Sequence, residues 1–322
     1  MLWNAATLGI AIGVTWDVVA LTGAGGVLVL VGLLAFDREL RAMRRRSIQR
    51  VPWATRWYRT AALFLGCGAV LGPAMANATA WPHGSLLGAH LALNIGGWFG
   101  TAIVGTLHTF HPSLTGTRLR FPRLQPATYV AWTAGIALVA LAAAWNADTA
   151  SIAGWALLAA ATGMLIANVV AGVAAGGLPS PAAVIVSAGQ VLLGAAVVSG
   201  LASSMSAGPI ASLVGTEQRA TTVLALLAGW IGLTVCGSLL HLLGLMGRVR
   251  RLRPPTGDSG RDPVALAGAG LVVVAIALCA GGADPAGRVL LAAGYALLLA
   301  RVAVLAVAAV RAAPLRIWRD GP

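Results

Sequence analysis

What most constrains this chain is the regular return of apolar runs about twenty residues long, from its first residues almost to its last. Short charged or Gly/Pro-rich stretches separate them at 3–21, 24–43, 57–79, 86–111, 124–147, 151–175, 180–204, 218–246, 263–282 and 286–312. About 20 apolar residues is the length of helix that crosses the hydrocarbon core of a bilayer. Of 322 residues 58% are hydrophobic and 10% charged, against about a quarter charged in a soluble domain, so a soluble fold is excluded. A disordered chain is excluded too, because so apolar a sequence cannot stay solvated. The expected fold is an all-α polytopic membrane bundle of about ten spans, one integral membrane domain over 1–322. Only Gly23-Ala24-Gly25-Gly26 interrupts the first two runs, so nine spans, with one long tilted helix at the start, is the alternative. The N-terminus lacks a basic leader and a small-residue cleavage site, and 3–21 reads as a retained helix.

The net charge of +13 is carried entirely by arginine, since the chain has no lysine. Most of it falls in four stretches: Arg38 to Arg59, Arg118 to Arg123, Arg248 to Arg261 and Arg311 to Arg319. Alternation of the spans puts all four on one side and His83, Asp148, Glu217 and Asp284 on the other. Clustered arginine marks cytoplasmic loops, so the Arg-rich loops and the C-terminus are expected there, with attraction to anionic lipid. A nucleic-acid partner is excluded, because no folded basic surface with base-reading groups is present.

The chain also repeats itself. Gly97-Trp98-Phe99-Gly100 matches Gly229-Trp230-Ile231-Gly232, 132 residues on. At the same offset Gly105 meets Gly237, Leu107 meets Leu239 and Arg118 meets Arg250. The repeat falls on the fourth and eighth spans, so the repeating unit is four helices. It covers about 3–123 and 124–255, with a partial third unit at 263–312.

Polar groups inside a membrane are costly and need a reason. Four of the five histidines, His90, His108, His111 and His241, lie in or at the ends of the repeated helices. His90 and His108 are 18 residues apart, five α-helical turns, so both are expected on one face with Asn94, Gly97, Thr101 and Gly105 between them. Small residues beneath a histidine let a flat macrocycle lie on the backbone, and imidazole is the usual neutral axial ligand of haem iron. His241 lies one residue past the match of His108, which makes those two the expected axial pair, with His111 as substitute for either. His90 and Asn94 would serve a second, outer site. Met75, His83 and Met205 form a His/Met set suited to soft Cu(I). Arg301, inside the last run, is read as the partner of a haem propionate or of Asp17. Cys67, Cys236 and Cys279 share no metal spacing and read as buried small hydrophobes. Walker loops, HExxH, serine elbows and paired carboxylates are all missing from the sequence.

The stretch His90-Leu-Ala-Leu-Asn-Ile-Gly-Gly-Trp-Phe-Gly-Thr-Ala-Ile-Val-Gly-Thr-Leu-His108-Thr-Phe-His111-Pro resembles a helix of membrane proteins related to haem–copper oxidase subunit I. Closest in pattern are the NnrS family and the membrane parts that precede cupredoxin domains in bacterial multicopper oxidases and copper nitrite reductases. His90, Gly97 to Thr101 and His111 carry the match, and Gly229-Trp230 through His241 to Arg250 is similar to the other half of such a domain. There is no adjacent His-His pair and no Glu-x-x-x-Tyr, so oxygen-reducing chemistry is not implied. The resemblance implies a bacterial cytoplasmic-membrane protein that binds haem b, with copper as a further metal. It also implies electron-transfer or nitric-oxide-related biology with a cupredoxin-type or respiratory redox partner. Two other readings stay open: a copper-handling membrane protein, and an accessory subunit whose histidines are structural.

Overall fold

The computed structural model describes residues 2–47, 53–76, 81–214, 222–250 and 262–311. Glu217, Arg50, Arg251, Arg253, Arg261, Arg316 and Arg319, which marked loops in the sequence, lie outside these. Among the described residues there is no strand, and ten helices carry the chain. They are α1 (Leu2–Thr15), α2 (Val19–Arg46), α3 (Trp53–Ala76), α4 (His83–Thr115), α5 (Leu124–Trp145), α6 (Asp148–Gly176), α7 (Pro181–Val214), α8 (Thr222–Gly247), α9 (Pro263–Ala280) and α10 (Asp284–Arg311). All but α1 are long and apolar enough to cross a bilayer. The protein is therefore an all-helical, multi-span membrane protein.

The first break falls earlier than the glycine run suggested. Asp17, at φ 57°, turns the chain between α1 and α2, and Gly25 and Gly26 lie inside α2. Those glycines are there for contact: a Cβ on Gly25 would meet Ile10 and the Ala6 carbonyl, and one on Gly26 would meet Pro73. α7 likewise runs past residue 204, through a kink where Gly208 (φ 84°) precedes Pro209.

One helix crossing recurs three times. In the hairpin α1/α2, a Cβ on Gly25 would lie 2.6 Å from Ile10 Cγ1 and 3.0 Å from the Ala6 oxygen. In α5/α6, one on Gly154 would lie 2.8 Å from Val139 Cγ2 and 3.0 Å from the Gly135 oxygen. In α9/α10, one on Gly294 would lie 2.9 Å from Val272 Cγ2 and 2.8 Å from the Gly268 oxygen. Each crossing pairs a small residue and a β-branched residue four positions on with a glycine and a Val or Leu four positions on. The latter, Val29, Leu158 and Leu298, are all buried. Small residues let backbones touch where lipid offers no hydrophobic drive for association.

Each hairpin also turns through one left-handed residue, Asp17, Asn146 (φ 53°) and Gly282 (φ 84°). These are the residue types that tolerate that conformation. From the β-branched residue to the turn residue to the glycine, the first two hairpins have identical spacing, Ile10–Asp17–Gly25 and Val139–Asn146–Gly154. The third, Val272–Gly282–Gly294, is longer by three residues on one arm and four on the other.

The contacts divide the chain into two compact bodies. One comprises Met1–His108, Phe121–Leu165 and Ala196–Thr222; the other comprises Thr109–Arg120, Ile166–Ala195 and Val223–Pro322. α4, α6, α7 and α8 contribute residues to both.

Candidate functional site

In the first body the site is built where α4 meets α3. Between its α-helical ends α4 contains a π-helical segment, Ala92–Gly100, and α8 contains another, Ala225–Gly232. Both end on the last glycine of the repeated Gly-Trp-x-Gly. π segments are rare and gather at functional sites. The one in α4 adds residues per turn, so the 18-residue interval from His90 to His108 is not five α-helical turns. The two histidines nevertheless share a neighbour, α3: His90 Nδ1 donates to the Gly68 carbonyl at 3.0 Å, and His108 stacks on Trp57 with ring centroids 5.7 Å apart. Asn94 donates from Nδ2 to the His90 carbonyl at 2.7 Å and lies against Gly68.

The glycines between the two histidines are not an open cradle. A Cβ on Gly97 would lie 2.6 Å from Phe64 Cβ, and one on Gly105 would overlap the Trp57 ring. Thr101 is fully buried and accepts from Trp132 Nε1 at 3.1 Å. The face expected to carry a macrocycle is filled by side chains of α3 and α5.

His108 is different from the rest. It is 2% exposed, and its Nδ1 donates to the Val104 carbonyl at 2.7 Å. That bond puts the proton on Nδ1 and leaves the lone pair on Nε2, which is buried without a hydrogen-bond partner. The Trp57 indole stacked on it is fully buried, and its Nε1 also lacks a partner. An unsatisfied buried polar group costs about 1–3 kcal/mol, and here a donor and an acceptor share one stack of rings. An imidazole fixed by Nδ1–H to a carbonyl with Nε2 bare is the second-sphere arrangement that orients metal-ligating histidines. Sequence reasoning singled out His108 and missed Trp57, which lies within the Arg-rich stretch Arg38 to Arg59.

His108 belongs to the first body, and His111 and His241 belong to the second. His111 Nε2 lies 3.2 Å from the Ser187 hydroxyl, and a Cβ on Gly172 would touch its ring. His241 meets Phe110 edge-on at 5.6 Å between centroids. The copper set is not a buried site: Met205 is 67% exposed and His83 is exposed at the start of α4, while Met75 is half-buried. Among the described residues, no group of three or more His, Cys, Asp or Glu side chains could hold a metal ion.

Arg301 has a carboxylate partner in its own body. Its Nε donates to Asp262, whose other oxygen caps α9 by accepting from the Ala265 amide at 3.1 Å. α9 and α10 form a hairpin, so position 301 lies level with the first residues of α9 and not at its middle. Arg301 is a helix-end anchor. Of the cysteines, Cys236 is buried as expected, but Cys67 is exposed.

The second body holds a polar cluster that the sequence reading passed over. Gln190, 1% exposed, donates from Nε2 to the Val186 carbonyl at 2.9 Å and to Thr234 Oγ1 at 3.1 Å, and its Oε1 accepts from Trp230 Nε1 at 3.0 Å. Trp230 is the repeat's match to Trp98, which instead stacks on Trp3 and meets Phe36 edge-on. Compared with known proteins, the chain matches no protein-family model and no curated sequence.

Proposed function

We propose that this is a haem-binding integral membrane protein of the haem–copper oxidase-like type, in electron transfer or nitric-oxide- or copper-related redox biology, in which His108 Nε2 would hold the haem iron. The observation that carries the reading is the bare, buried Nε2 of His108 with its proton committed to Val104. The thrice-repeated hairpin and the paired π segments fit the four-helix repeating unit of the sequence. A b-type haem would supply one-electron chemistry and a coordination position for a small gas. The protein's own residues do the rest. Val104 fixes the imidazole tautomer, Trp57 packs its ring face, and burial keeps water from Nε2. The filled glycine face is no part of this site, and Arg301 is held by Asp262.

On this reading the protein sits in a bacterial cytoplasmic membrane with its Arg-rich segments inside, and a cupredoxin-type or respiratory carrier exchanges electrons with it. The test is an optical spectrum and iron analysis of protein expressed with haem supplied. A Soret band that disappears in His108→Ala, while the helical circular dichroism is unchanged, is the expected result. No Soret band in the wild type sinks the reading, and copper without iron would favour the His/Met alternative.

A further inference from the structure

A cleft of about 760 Å³ opens in the first body along α2 and α3, with Tyr129 of α5 at its side. One end is apolar, walled by Leu30, Leu33, Leu34, Leu63 and Val70, and the other is lined by Arg44, Arg56 and Arg59 with a single carboxylate, Asp37. Arg59 donates to Asp37 at 2.7 Å, and Arg41 bonds the other oxygen of that carboxylate. The charged lining therefore retains an excess of two positive charges over Asp37. Arg56 is held over the Trp53 ring at 4.9 Å, and the hydroxyls of Thr60 and Tyr129 are joined at 2.7 Å beside it. Exposed arginines at one end of an apolar trough, on helices that span the membrane, match a molecule with a fatty chain and an anionic head.

We propose that this cleft binds one anionic phospholipid, its phosphate among Arg44, Arg56 and Arg59 and an acyl chain along Leu34, Leu63 and Val70. The site is distinct from the histidines and does not depend on the haem reading. Guanidinium geometry favours phosphate, which an ammonium would meet only as a point charge. The leucines and Val70 give the chain a seat that a free phosphate could not use.

The test is native mass spectrometry of the full chain in detergent, titrated separately with phosphatidylglycerol, phosphatidylcholine and inorganic phosphate. The wild type should retain phosphatidylglycerol and not the other two. At about fivefold per arginine, Arg44→Gln with Arg56→Gln should weaken it about twenty-five-fold. Arg118→Gln with Arg120→Gln, which removes equal charge elsewhere, should leave it unchanged. Val70→Trp fills the trough without touching charge and should also abolish retention. Equal binding of phosphatidylcholine, equal loss in both arginine pairs, or full retention in Val70→Trp would each overturn the proposal. Circular dichroism of each variant separates misfolding from lost binding, and Val70→Trp and the Arg44/Arg56 pair are independent routes to the same answer.

Discussion

The two helix pairs α3/α4 and α7/α8 are built to one plan and filled differently. In both, the first repeated glycine lies on a large side chain of the preceding helix: Gly97 on Phe64, and Gly229 on Leu192. The next glycines, Gly105 and Gly237, lie on Trp57 and on Val186 with Ile185. The difference is in the polar atoms. In α7/α8 every polar atom of Gln190, Thr234 and Trp230 named above is matched to another. In α3/α4 the stacked Trp57 and His108 leave one donor and one acceptor bare. Where His108 stands, the second pair has Leu240 at the repeat's offset of 132, and under Gly237, as Trp57 lies under Gly105, it has Val186 with Ile185. A satisfied network rigidifies a buried interface, whereas a half-satisfied one is a liability unless a ligand completes it. The contrast therefore separates a pair whose polar atoms are matched from a pair that leaves a donor and an acceptor bare.

Breaking that contrast gives the largest expected effect. The double variant Trp57→Ile with His108→Leu converts the first pair to the residues of the second. It should lose all haem absorbance while keeping its helix content, measured by optical spectrum and circular dichroism. Next comes Gln190→Leu, which leaves Trp230 Nε1 and Thr234 without their partner. Loss of about 1–3 kcal/mol in detergent unfolding is expected, with absorbance intact. Gly229→Ala should cost about 1–3 kcal/mol as well, because its Cβ would lie 2.7 Å from Leu192 Cδ1. Smallest is Ser187→Ala, which removes one hydroxyl from His111. About 0.6 kcal/mol, the usual worth of such a bond between membrane helices, is expected, with no change in absorbance. If Ser187→Ala instead altered the spectrum, His111 would belong to the haem site and the contrast would need redrawing.

The fold was largely readable because hydropathy alone marks helices that must satisfy their own backbone groups in lipid. The failures were local. A run of glycines reads as a break, yet Gly25 and Gly26 continue α2, because in a membrane their lack of Cβ serves contact; the left-handed Asp17 does the turning. The π segment of α4 was invisible to a count that assumed 3.6 residues per turn. For the candidate site, His108 was singled out by type and depth. Trp57 and Gln190 were missed because only tertiary neighbours reveal which polar atom is bare and which is matched. Arg301 looked mid-membrane because α10 outruns α9.

The unequal third hairpin has a consequence for how such a protein can change length. Three residues more on one arm and four on the other return both seams to the same azimuth, since either number is close to one helical period. Growth of a hairpin is thus quantised: whole turns, added on both sides of the bend together. A one-residue insertion in α9 alone would swing Gly268 about 100° away from Gly294, and two backbones now in contact would be pushed apart by side chains.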